Sequence, residues 1–145
     1  MKLEIHDAAP AEKELVVRLL KEADLLTEDL PDGLPNFLLA KEDGVLVGVA
    51  GLELFGLVGL LRSVAVNPDH QGKGIAGRMV EQLLANADEQ RVQAVYLITT
   101  TAGRYFDRYG FTPIDREQVP EAIQQTRQFS GLCPSSAVVM NRNVT

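Results

Sequence analysis

Apolar and polar residues alternate at the head of the chain, where Leu3 and Ile5 stand among Lys2, Glu4 and His6, the period-two pattern of a short strand. The period then lengthens. Pro10 suits a first helical turn, and Leu15, Val16, Leu19 and Leu20 recur on one helical face. Leu25 to Pro35 reads as a loop, or as a short helix stopped by Pro31-Asp32-Gly33. Phe37–Ala40, Val45–Leu54 and Leu57–Val66 are strand runs, the first two joined by the hairpin signal Glu42-Asp43-Gly44, and together they predict an antiparallel meander. Asn67-Pro68-Asp69 ends the third. A helix is predicted from Gly74 to about Glu89, with Ile75, Met79, Leu83 and Leu84 on one face. A buried strand over Val92–Ile98 and a helix from Thr101 to the glycine stop at Tyr109-Gly110 come next. Phe111–Ile114 reads as a strand, Pro120–Phe129 as a helix and Ser136–Met140 as the closing strand. With no repeat, low-complexity tract or linker, residues 1–145 form one α/β domain: a mixed, mostly antiparallel sheet of about seven strands flanked by helices.

Composition narrows the partners. The chain carries 14 basic and 20 acidic residues, a net charge of −6. That argues against nucleic acid as a bulk partner, because phosphate backbones select clustered Lys and Arg. A small anion is still admissible, since backbone amides hold phosphate without a basic patch. Glycines, Glu53 and Arg62 interrupt the apolar stretch Val45–Val66, so strands are expected there and no membrane span. Cys133 is the only cysteine, which rules out an intrachain disulfide and fits a reducing, cytoplasmic setting. The first residues lack the long apolar core of a signal peptide.

The strongest local signal is the run Leu61–Ala76, in which a strand passes through a turn and Gln71-Gly72-Lys73-Gly74 opens a helix. The first amides of a helix lack internal partners and carry the positive end of its dipole, and glycine lets a phosphate approach the main chain. The spacing of Gly72, Gly74 and Gly77 matches the dinucleotide fingerprint. That reading wants an acidic residue at the end of the next strand, where Thr99-Thr100-Thr101 stand, and a parallel crossover in place of the meander. A Walker loop is excluded because Lys73 is followed by Gly74. A tight strand–helix turn without a ligand is the plain alternative.

These residues resemble the GNAT superfamily of N-acetyltransferases. Val66-x-Pro68-x-x-Gln71-Gly72-Lys73-Gly74-Ile75-Ala76 is similar to its acetyl-CoA signature, and Ala102-x-x-Tyr105-Phe106-Asp107-Arg108-Tyr109-Gly110-Phe111 to its second motif. Leu97–Ala102, Tyr105-Phe106, Gly110-Phe111 and Val119–Ala122 look like the acetyltransferase domain of bacterial N-acetylglutamate synthase. With Phe129–Val138 added, the run is similar to small acetyltransferases associated with arsenic-resistance operons. The resemblance implies acetyl-CoA as cosubstrate, with its pyrophosphate on the amides of Gln71, Gly72, Lys73, Gly74, Ile75, Ala76 and Gly77. It implies that Val64, Ala65 and Val66 pair with the pantetheine arm and that a backbone N–H near Val64 stabilises the oxyanion. Dimers are common in the superfamily, so a homodimer is among its implications. The frequent family Asn falls on Thr99, whose hydroxyl can still bond the cofactor, and the frequent family Tyr acid falls on Phe106.

Acetyl transfer to an amine also needs a base, because a lysine-like amine with pKa about 10.4 is almost wholly protonated near neutrality, and an α-amino group near 8 needs less help. Glu53, on the strand beside the cofactor strand, is the candidate base; a solvated charge is its alternative. His70 and His6 are other bases by type. Arg62 shares a face with Val64 in a regular strand, which suits it to a substrate carboxylate or to a structural salt bridge. Lys73 adds charge near a phosphate or is a solvated loop residue. Tyr105 is core or pocket wall. Cys133 has no partner His nearby in sequence, which argues against a nucleophile. Pro120–Ser135 is long enough to be a lid over the acceptor, with Arg127 and Ser130 as contacts, or a packing helix. The expected activity is acetylation of a small-molecule amine, an amino acid or a similar compound. A protein acetyltransferase is one alternative, and a non-catalytic acyl-CoA sensor, motivated by Phe106, is another.

Overall fold

The computed structural model describes residues 2–23, 25, 27–99, 103–127, 129 and 137–143, with the backbone alone at 103 and 104. Strand β1 (Leu3–Asp7) pairs antiparallel with β2 (Phe37–Glu42), and β2 with β3 (Val45–Phe55). Asp43 and Gly44 link these last two with φ of +52° and +83°, the left-handed pair that a two-residue hairpin requires. β4 (Val58–Val66) follows across Gly56-Leu57, too short a link for anything but an antiparallel neighbour. Helix α2 (Ile75–Glu89) gives the long crossover that parallel pairing needs, and β5 (Ala94–Thr99) lies parallel to β4 from Val58↔Ala94 to Leu60↔Tyr96. β7 (Val138–Asn143) pairs antiparallel with β5 and with β6 (Thr112–Ile114), giving the order β1-β2-β3-β4-β5-β7-β6. The expected class, an α/β fold with a mixed and mostly antiparallel sheet, is the one observed.

Two compact units share the chain. One takes it to Leu52 and again from Ser63 to Asn86; the other takes Glu53–Arg62 and everything from Ala87. In the first, α1 (Lys13–Glu22) buries Val16, Leu19 and Leu20 against Phe37, Leu39 and Val49. In the second, Leu60, Tyr96 and Val139 of the sheet pack with Val119 and with Ile123 of α4 (Glu121–Gln124).

Several boundaries depart from the sequence pattern. The helix expected over Pro120–Phe129 is interrupted: α4 ends at Gln124, and helical residues return at Arg127 and Phe129. At the interruption the Thr126 hydroxyl donates to the Ile123 carbonyl at 2.6 Å and accepts the Phe129 N–H at 3.1 Å, so a side chain takes over the helix's own bonding. The last strand runs three residues past Met140 because its ladder bonds, to β5 and β6, do not need the apolar side chains that marked its first half. The helix α3 spans Gly103–Asp107; Thr101 and Ala102, where its start was expected, lie outside the described residues. The described residues contain no helix long and apolar enough to cross a membrane.

Two tests follow from the first unit. Gly51 faces Phe37 across the β2–β3 pair, and a Cβ there would stand 2.5 Å from ring carbons that are wholly buried. Gly51→Ala is expected to lower stability by about 1–3 kcal/mol in urea denaturation, the cost of overpacking. Glu12 receives Lys41 Nζ at 2.6 Å and the Ala9 N–H at 3.0 Å, and the Lys41 bond first, then the Ala9 bond, holds its carboxyl below the ordinary glutamate value. A lowered native pKa stabilises above the unfolded value and loses that effect on acidification. Wild type should therefore exceed Glu12→Gln by about 1 kcal/mol at neutral pH. The gap should close as pH falls below about 4.3 and through the lowered native value, as read from thermal melts.

Candidate active site

The loop after β4 is assembled from local bonds. Asn67 donates its N–H to the Val47 carbonyl at 2.7 Å and accepts the Asp69 N–H on Oδ1 at 2.9 Å, while Pro68 opens a single 3-10 turn to His70. Gln71 is extended. Its Nε2 donates to the Val66 carbonyl at 3.1 Å, which ties the loop back to the strand end, and its amide lies 3.4 Å from the Pro68 carbonyl. Gly72 and Gly74 then take φ of +81° and +77°, and a Cβ on either would meet nothing within 4 Å. Both conformations disfavour any side chain, by about 1–2 kcal/mol per residue. Arg78 N–H is the amide that closes on the Gly74 carbonyl, at 3.1 Å. The amides of Ile75, Ala76 and Gly77 precede it in the first turn of α2, where a helix has no internal acceptor to offer. Open glycines leading into a fifteen-residue helix form an exposed anion seat. Lys73 lies exposed within it.

β4 brings a second feature that its sequence did not signal. Ser63, 8% exposed in mid-strand, has a φ of +56°. A left-handed residue interrupts the pleat, so the strict alternation that placed Arg62 and Val64 on one face does not run through it. Such a break also re-aims the next backbone groups, here those of Val64, Ala65 and Val66.

Arg62 and Glu53, expected in separate roles, are partners: Arg62 Nη1 donates to Glu53 Oε1. The Arg62 side chain is 1% exposed and that of Glu53 22%, so an incoming molecule meets the carboxylate and not the guanidinium. Arg62 was weighed as a receptor for a substrate carboxylate. Its alternative, the salt bridge, is the one formed, because a buried charge needs a paired counter-charge.

His70 Nε2 stands 3.8 Å from Glu42 Oε1, and its buried Nδ1 has no hydrogen-bond partner among the described residues. His6 Nδ1 bonds the Asp7 carbonyl at 2.8 Å. Thr99 ends β5 opposite Val138. Phe106 is buried in α3, edge-on to Tyr105 at 5.1 Å and to Phe111 at 6.0 Å. The Tyr105 hydroxyl shares a 3.1 Å bond with that of Tyr109, and Arg108 sits 4.8 Å over its ring. Arg127 is exposed. Ser130 and Cys133 lie outside the described residues. The described residues hold no cluster of His, Cys, Asp and Glu suited to a metal ion.

The model of the acetyltransferase (GNAT) family matches residues 4–111, and the chain belongs to that family. The amino-acid acetyltransferase of Escherichia coli strain K12 is 26% identical over 116 residues, covering 76% of this chain and 26% of the relative. The chain thus spans about a quarter of the length of the curated relatives it matches. N-acetylglutamate synthase from Neisseria gonorrhoeae, solved with coenzyme A and N-acetyl-glutamate, superposes with a TM-score of 0.84 at 20% identity, over 100% of this chain and 36% of its own. A Mycobacterium tuberculosis protein solved with CoA and NLQ superposes with a TM-score of 0.79 at 21% identity, over 98% of this chain and 99% of its own. At these identities the structural likeness establishes the fold.

The ion pair makes a stability prediction. Glu53→Ala leaves the Arg62 guanidinium buried without its carboxylate and should cost about 2–3 kcal/mol in urea denaturation. Glu53→Gln keeps an oxygen acceptor for Arg62 and should cost clearly less.

Proposed function

We propose that the chain transfers an acetyl group from acetyl-CoA to the amine of a small molecule, an amino acid or a similar compound, as one catalytic domain. The observation that carries this reading is the pair of left-handed, open glycines, Gly72 and Gly74, at the head of α2. A pyrophosphate needs several convergent N–H donors and no obstructing side chain, and the amides of Gly72 to Gly77 meet both needs. Gln71 braces the loop through Val66 rather than offering its own amide. The amino-acid acetyltransferase relatives support the choice of acceptor, and the CoA complexes of the structural neighbours support the cosubstrate.

On this reading acetyl-CoA supplies a thioester whose acyl carbon the amine attacks, with the thiol as leaving group. The chain's residues do the rest. Val64, Ala65 and Val66 offer main-chain pairing to the pantetheine arm. The Val64 N–H, re-aimed by the left-handed Ser63, donates to the carbonyl oxygen as negative charge builds there. Glu53 accepts the amine's proton, and Arg62 acts by holding the Glu53 carboxylate in place. The family resemblance assigns Thr99 and Phe106 to cosubstrate binding as well. Arg127 and Ser130 are proposed as acceptor contacts because the segment they occupy is longer than a hairpin needs. A setting in the cytoplasm suits this chemistry, since acetyl-CoA is an intracellular metabolite of reducing surroundings.

One observation favours a second reading. Phe106, packed edge-on against Phe111, stands where the superfamily motif that the sequence resembles has a tyrosine acid, so a domain that binds acyl-CoA without turning it over fits that position. A thiol-release assay over an amino-acid panel, run beside calorimetry with CoA, separates the two. Turnover on at least one amine is expected, with Glu53→Gln lowering kcat by about 10²–10³-fold at little change in cosubstrate KM. Gly74→Val should weaken CoA binding at least about tenfold. CoA binding without thiol release on any amine would move the assignment to the sensor, and no heat with CoA would end both readings.

A further inference from the structure

α2 meets the edge of the sheet with a polar row. Ile75, Met79 and Leu83 are buried, and a Cβ on Gly48 of β3 would stand 3.0 Å from the Met79 Cε, so that row seats the helix on the sheet. Arg78, Gln82 and Asn86 recur one turn apart beside it. They line a groove of about 550 Å³ that Ile5, Asp7 and the buried Leu38 also line. Asp7 stands opposite Leu38 in the β1–β2 register, and Ile5 lies two residues back on the same face. All six residues belong to the first compact unit.

The polar members keep bonding capacity. Gln82 Nε2 donates to Asn86 Oδ1 at 3.0 Å, which leaves the Gln82 carbonyl and the Asn86 amide hydrogens open. Among the described residues neither the Asp7 carboxylate nor the Arg78 guanidinium has a hydrogen bond or an ion pair. Unlike charges therefore line one groove without neutralising each other. They also sit toward opposite ends of it. Three antiparallel steps lead from β1 to β4 and α2 turns back from β4, so α2 runs in the direction of β1. Arg78 stands near the start of α2, and Asp7 is the last residue of β1. The helix axis rises about 12 Å from Arg78 to Asn86.

We propose that this groove binds a small zwitterion, with its ammonium group at Asp7, its carboxylate at Arg78 and a spacer of several bonds between them. Each end then meets the opposite charge, the carboxylate in the bidentate geometry that a guanidinium favours. The methylenes of the spacer cover Leu38 and Ile5, and the open amide groups of Gln82 and Asn86 bond polar atoms along the way. A molecule with one charge leaves the other wall unanswered, and a short zwitterion does not reach both. None of these residues belongs to the glycine loop or to the Arg62–Glu53 pair, so the inference stands or falls apart from the proposed function.

NMR of the full chain, titrated with ε-aminocaproate, reads binding where it occurs. Caproate, hexylamine and glycine serve as controls for charge and length. The side-chain amide signals of Gln82 and Asn86 should move with ε-aminocaproate, at an affinity at least about tenfold above that of each control. Asp7→Asn and Arg78→Gln should each weaken this binding at least about tenfold. Both side chains are exposed, so the thermal midpoint of the unliganded variants should stay in place. Glu53→Gln should leave the affinity at Gln82 and Asn86 unchanged, which separates the groove from the proposed base. Amide signals that do not move, controls that bind as well as the probe, or charge variants that bind like wild type would overturn the proposal.

Discussion

A guanidinium enclosed in protein must keep its counter-charge, and the buried ion pair of Arg62 with Glu53 meets that need between the end of β3 and the middle of β4. Much of the candidate site hangs from the strand this pair secures. The next residue, Ser63, takes a left-handed conformation that costs about 1–3 kcal/mol and persists only where its surroundings over-determine it. Beyond it come Val64, Ala65 and Val66, then Asn67 bonded to Val47, then the glycines and α2. Local geometry is passed along one strand into one helix, and each step is fixed by a backbone or side-chain bond.

Position along that path decides what the sequence could disclose. Gly72 and Gly74 were legible because glycine is the residue that left-handed backbone selects, and because the helix after them has its own periodicity. The Asp43-Gly44 hairpin was legible for the same reason. Ser63 was not: serine carries no preference for positive φ, and the surrounding Leu-Leu-Arg-Ser-Val-Ala-Val reads as an uninterrupted strand. The Arg62–Glu53 contact was also hidden, since both residues were singled out but cross-strand register was not available to join them. Glu42 as the neighbour of His70 escaped notice for that reason too.

Elements at the far end of the chain show a different limit. Apolar periodicity reports burial, so it marked β7 only while Val139 and Met140 were facing the core, and it missed Asn141–Asn143, which are held by ladder bonds. It ran one unbroken helix from Pro120 to Phe129, because the competing hydroxyl of Thr126, at the interruption after Gln124, does not register in a hydrophobic pattern.

The same distinction separates cosubstrate from acceptor. Recognition of a pyrophosphate rests on main-chain amides and on glycines, which side-chain substitution elsewhere leaves intact, so family membership and the loop are read together. Recognition of the acceptor rests on a few side chains that drift freely on a common fold. Burial of Arg62 makes this concrete. A cation that looked suited to a substrate carboxylate is engaged by the protein's own carboxylate, and the group left partly open is Glu53. A partly open carboxylate attracts an ammonium and can take its proton, whatever the rest of the acceptor looks like. On the proposed reading, charge and reach to Glu53 select the acceptor amine, while the remainder of the molecule is left to residues outside this pair.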